Sequence, residues 1–142
     1  MRAFVASALV LVALVAAGWW IWGRQASPAG EIGTVIETVR SGDTVITLSG
    51  PDGGLRAGSN RFRIAFRSAA TGEPIDAGVV QLGASMQMPG MVMNSPITIE
   101  PAGQPGAYDA TGDFGMSGSW QMTIEWNGPA GRGSAAFEGN VQ

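Results

Sequence analysis

The stretch RFRIAFR, residues 61–67, alternates without a break. Phe62, Ile64 and Phe66 fall on one side, and Arg61, Arg63 and Arg67 on the other. Successive side chains of an extended strand point to opposite faces, so a period of two describes a strand with one face buried and one in water. The pattern recurs in both directions along the chain. Val80, Leu82, Ala84, Met86 and Met88 share one face of Val79–Met88, and Trp120, Met122, Ile124 and Trp126 form a second inward stripe. Thr34–Val39 and Thr44–Leu48 flank Ser41-Gly42-Asp43 as a hairpin. Ile97 with Ile99, Tyr108 with Ala110, and Ala135 with Phe137 and Val141 mark further strands, the last reached through a turn at Asn127-Gly128-Pro129. The count is seven to eight short strands punctuated by glycine-rich turns. With no helical period in the soluble part, this predicts an all-β, two-sheet antiparallel sandwich.

Ahead of these strands stands an apolar run, Ala3–Trp22, twenty residues without a charge. As a helix it would span about 30 Å, the thickness of a bilayer's hydrocarbon core. Arg2 precedes it, and Trp19, Trp20 and Trp22 close it. Tryptophan favours the headgroup layer, and the positive-inside rule keeps the Arg2 end in the cytoplasm. The expectation is an N-terminal transmembrane helix, a single-pass inner-membrane anchor over residues 1–23, with the rest of the chain in the periplasm. The alternative is a cleaved signal sequence, with Val15-Ala16-Ala17 as the cleavage site and secretion to the periplasm. Residues 24–30, RQASPAG, read as a linker, and 31–142 as the domain.

Composition removes several functions. The chain has no Cys, no His and no Lys. A Ser-His pair, a thiolate nucleophile and a Cys/His zinc site are therefore excluded. From Pro28 onward six arginines face all eleven acids, a net charge of −5, which argues against nucleic acid as a partner. The carboxylates are scattered over turns and outward strand positions, Asp109 and Asp113 near Met116 included, so a binding protein is expected rather than an enzyme.

What remains is methionine. Residues 86–93 read MQMPGMVM. With Pro89-Gly90 at the centre of a turn, Met88 would face Met91 and Met86 would face Met93, all on one side of a hairpin. Pro-Gly favours a type II turn whereas tight hairpins prefer the primed types, which leaves room for a wider loop. Thioethers are soft, neutral ligands that suit Cu(I). Methionine also fills irregular core gaps. Met122 reads as core and Met86 leans that way, as does Trp120. Met88, Met91 and Met93 lie at a turn, where a gap-filler has less to fill. Met116, in the turn DFGMSGSW, would approach from a neighbouring loop.

Five stretches in order resemble the YtkA-like domain family: Leu55-Arg-Ala-Gly58-Ser-Asn60-Arg-Phe62, Gly72-Glu-Pro74-Ile-Asp76, Met88-Pro89-Gly90-Met91-Val-Met93, Gly106-Ala-Tyr108-Asp-Ala110 and Met116-Ser-Gly118-Ser-Trp120. The resemblance runs from about Gly42 to the C-terminus. It implies an exported immunoglobulin-like β-sandwich, in a setting of copper handling or respiratory-oxidase assembly shared with FixH-like proteins. It carries over the Met-Pro-Gly-Met turn with Met116 opposite and no catalytic residue, and the lack of His leaves Cu(I) rather than Cu(II). The expected function is Cu(I) binding at Met88, Met91 and Met93, completed by Met86 or Met116, for copper delivery or tolerance. The alternatives are a metal-free interaction module for an envelope efflux or oxidase-assembly protein, and a structural envelope domain.

Overall fold

The computed structural model describes residues 33–142. The apolar run and its expected helix, the linker and residues 31–32 of the expected domain lie outside the described residues. Nine strands follow one another: β1 Thr34–Ser41, β2 Thr44–Gly50, β3 Gly58–Ser68, β4 Val79–Met88, β5 Met91–Ser95, β6 Ile97–Pro101, β7 Ala107–Phe114, β8 Gly118–Gly128 and β9 Gly131–Val141. They form two antiparallel sheets, one in the order β1-β2-β3-β7-β6 and the other β5-β4-β8-β9. No helix occurs among the described residues.

The alternation read in the sequence sets the inner faces. Phe62, Ile64 and Phe66 of β3 and Trp120, Met122 and Ile124 of β8 are all buried in one core that both sheets share. Phe114 meets Trp120 edge to face at 5.4 Å, and Phe66 meets Tyr108 at 5.6 Å and Trp126 at 5.5 Å, geometries that suit the aromatic quadrupole. The Tyr108 hydroxyl, carried into this apolar setting, donates to the Gly78 carbonyl at 3.0 Å. Burial, with the Asp76 carboxylate adding to it, holds the phenol above its ordinary pKa.

Two readings need correction. Among the described residues the strands number nine, not seven or eight, because Met91–Ser95 is a strand in its own right. Pro96 ends it: proline has no N–H to give a ladder, and at this residue the chain leaves the four-stranded sheet and enters the five-stranded one as β6. The Ser95 hydroxyl, donating to the Asp113 carbonyl, holds this crossing against β7. The turn after β8 lies at Pro129-Ala130, since Asn127 pairs with Arg132 and Gly128 with Gly131. Asn127 and Gly128 stay in the strand because the backbone at Ala77–Gly78 packs directly on them, leaving no room for a side chain at position 128.

The sheets run so that one end of the sandwich gathers the start of β1, the end of β4, the end of β7, the start of β8 and the end of β9. Thr34 pairs with Gly50, Gly58 with Phe114 and Gly118 with Val141, which fixes all of these at the same end. The backbone of Leu55 and Ala57 pairs with Val141–Gln142 and closes one corner there.

Candidate metal centre

The methionine stretch is a two-stranded ribbon at that end. Met86 pairs with Met93, Gln87 with Val92 and Met88 with Met91. The connection holds two residues only, Pro89 and Gly90, with Gly90 at φ 79°. This is the type II arrangement: proline sets the first position and glycine accepts the positive φ at the second. The loop is thus no wider than two residues, and the expected register holds.

The ribbon leaves its sheet. The β4–β8 ladder runs from Val79–Asn127 to Ser85–Gln121 and stops, while β8 continues to pair with β9 as far as Gly118. Met86, Gln87 and Met88 therefore have β5 alone as a ladder partner. The loop Gly115–Ser117, which joins β7 to β8, lies beside the ribbon. A Cβ built at Gly115 would stand 3.4 Å from Met93 Sδ, and one at Gly118 would stand 2.8 Å from Met86 Cε. The two glycines bracketing Met116 thus let two methionines of the ribbon reach the loop. The indole N–H of buried Trp120 donates to the Met116 carbonyl at 3.1 Å, which pins that loop to the core.

Burial sorts the five methionines. Met86 is 9 % exposed, and Met88 and Met93 are half-buried against the core. Met91 is 54 % exposed and Met116 38 %. So Met88 and Met93 have more to fill at the turn than the sequence suggested: both pack against the core, and the β7–β8 loop comes to Met93 from elsewhere in the chain. Met122 is fully buried in the core, and Trp120 with it. Asp109 and Asp113 point away from the methionines. Asp109 pairs with Arg63 at 2.9 Å on the outer face, and Asp113 sits opposite Ser59.

The donor set fits a soft monovalent ion. Directly opposite residues on one face have Cβ atoms about 5 Å apart, and each Met adds three rotatable bonds. Met86, Met88, Met91 and Met93 share one face of the ribbon, with Met116 in the adjoining loop. Among the described residues no group of three His, Cys, Asp or Glu is placed to hold a metal. Sequence reasoning missed Gly115 and Gly118, whose signal was the small residues flanking Met116, and it missed Val92, 57 % exposed on the ribbon's other face.

No curated protein matches the chain. Among solved structures, the crystal structure of a DUF4426 family protein from Pseudomonas aeruginosa PAO1 aligns at 12 % identity and a TM-score of 0.49, over 74 % of this chain and 93 % of that one. The YtkA-like family model matches residues 38–125, more than half of the chain and nearly all of β1 to β8. The chain belongs to the YtkA-like family.

Proposed function

We propose that the protein is a membrane-anchored, immunoglobulin-like domain of the periplasm that binds Cu(I) through thioethers and serves copper delivery or tolerance. The observation that carries this reading is the cross-strand register of Met86 with Met93 and of Met88 with Met91 on a ribbon detached from β8. Met88, Met91 and Met93 would supply the first donors, and Met86 or Met116 would complete the set. Neutral sulfur needs no deprotonation, so the site would hold its ion across the pH range of an exposed compartment. Two of the donors, Met91 and Met116, stand partly in solvent, where an incoming ligand from a copper-handling or oxidase-assembly partner would exchange with them.

The test is an anaerobic Cu(I) competition titration of the full chain in detergent against a chromophoric chelator. Wild type is expected to hold one equivalent, the Met88/Met91/Met93→Leu variant none, and a Met122→Leu control one. Leucine conserves volume but not sulfur, so the fold is retained while the donors are removed. Equal affinity in wild type and the triple variant would sink the reading. A second reading, a metal-free contact surface for another envelope protein, draws on the exposure of Met91 and Val92 at the ribbon tip. It predicts that the triple leucine variant keeps its partner.

A further inference from the structure

We infer that the methionine end of the domain faces the bilayer, and that the ribbon tip Met91-Val92, with Met116 beside it, rests on the lipid headgroup layer. This rests on the anchored reading above but not on copper.

Chain direction makes the first argument. Thr34, the start of β1, lies at the same end of the sandwich as the end of β4 and the β7–β8 loop. The apolar run read as the anchor ends at Trp22, and the chain from Gly23 to Gly33 reaches at most about 40 Å when fully extended. The longest strands have 11 residues, about 36 Å. To bring the opposite end to the membrane, that short segment would have to run back along the whole sandwich and spend nearly all its reach. With the methionine end down it needs no such detour. The ribbon belongs to the four-stranded sheet, on the β6 side of the sandwich, and β1 stands four strand spacings, about 19 Å, from β6 in the five-stranded sheet, so the two corners of that end can meet one surface.

The second argument is the surface itself. Among the described residues, the exposed large apolar ones are Val35, Val79, Met91, Val92 and Met116. All but Val79 lie at the anchor end. Scattered apolar residues need no explanation, but three at one corner and a fourth beside the chain's entry, all at the same end, do. Between Asp76 and Glu100 the chain carries no charged residue, so the ribbon brings no repulsion to an anionic headgroup layer although the protein is acidic.

The chain has no cysteine, so single-cysteine labelling is clean. The full chain carrying either Val92→Cys at the ribbon or Ala130→Cys in the β8–β9 turn at the other end would be reconstituted in phosphatidylethanolamine–phosphatidylglycerol vesicles. An environment-sensitive dye is attached, and quenching by nitroxide-labelled lipid is read. Quenching several-fold stronger at position 92 than at 130 is expected. It should survive Met88/Met91/Met93→Leu, which stays apolar, even though that variant is expected to lose Cu(I). Equal or reversed quenching overturns the proposal. So does quenching at 92 that appears only in native membranes, which would indicate a protein rather than lipid. Flotation of the same vesicles separates the causes: protein that fails to float refutes the anchor, whereas floating protein without quenching refutes only the orientation.

Discussion

Replacing Met86 and Met91 by alanine, one at a time, tests whether the methionines divide into those that hold the fold and those free to bind. Both lie on the same face of one ribbon, five residues apart in sequence. Met86 is 9 % exposed, and its methyl group closes on Gly118. Truncating a buried Met to Ala costs about 2–5 kcal/mol through lost transfer energy and the cavity left behind. The loop at Gly115–Ser117 can settle partway into that space, so the lower part of the range, about 2–3 kcal/mol, is expected for Met86→Ala. Met91 is 54 % exposed at the tip, and its truncation should change stability by about 0.5 kcal/mol or less. Urea unfolding of the full chain in detergent, followed by far-ultraviolet circular dichroism, reads the difference. With a denaturant slope of about 2 kcal/mol per molar, the Met86→Ala midpoint should fall by about 1 M or somewhat more while the Met91→Ala midpoint stays near wild type. Equal losses in the two variants would refute the division, and so would a Met86→Ala protein as stable as wild type.

Gly118→Ala should destabilise by about 1–3 kcal/mol, because φ there is +134° and the new methyl would meet Met86, and differential unfolding would show it. Gly133→Ala should cost about 1–3 kcal/mol by overpacking, since its Cβ would fall 2.4 Å from the Trp126 ring and push that ring off Phe66; loss of near-ultraviolet circular dichroism would report the displacement. Tyr108 is the sole tyrosine, so absorbance near 295 nm follows its ionisation alone. Its midpoint should lie above the ordinary phenol value of about 10 in the folded protein and return toward that value in urea. The folded state then holds the proton more tightly than the unfolded chain. Its contribution to stability is complete below about pH 10 and is lost as pH rises through the folded midpoint, a dependence Tyr108→Phe should remove.

Strand chemistry was legible where neighbours in sequence decide it. RFRIAFR gives its inward set from alternation alone, and Phe62, Ile64 and Phe66 are all buried. The ribbon register was legible because a two-residue turn leaves one way to pair its arms. What escaped was set by residues distant in sequence. Nothing local says that β4 parts from β8 after Ser85, or that Pro96 carries the chain between sheets. Met88 and Met93 read as exposed turn residues because their cover comes from residues distant in sequence, for Met93 from Gly115. The turn after β8 was misplaced by one to two residues, since the contact that keeps Asn127 and Gly128 extended is made by Ala77–Gly78.

The separation of β4 from β8 at Ser85–Gln121 also bears on how the protein opens. A β8–β9 ladder of eleven pairs and a β3–β7 ladder of eight must come apart together, whereas the ribbon beyond Ser85 is tied by its own cross-strand bonds and a loop resting against it. Segments with few ladder partners open at a fraction of the global unfolding free energy. Amide hydrogens of Met86–Met93 should therefore exchange well ahead of those in Trp120–Ile124. The ribbon's tip around Met91 would open first, while Met86 stays packed in the core. Thioethers on such a flap can be presented and withdrawn without the domain unfolding.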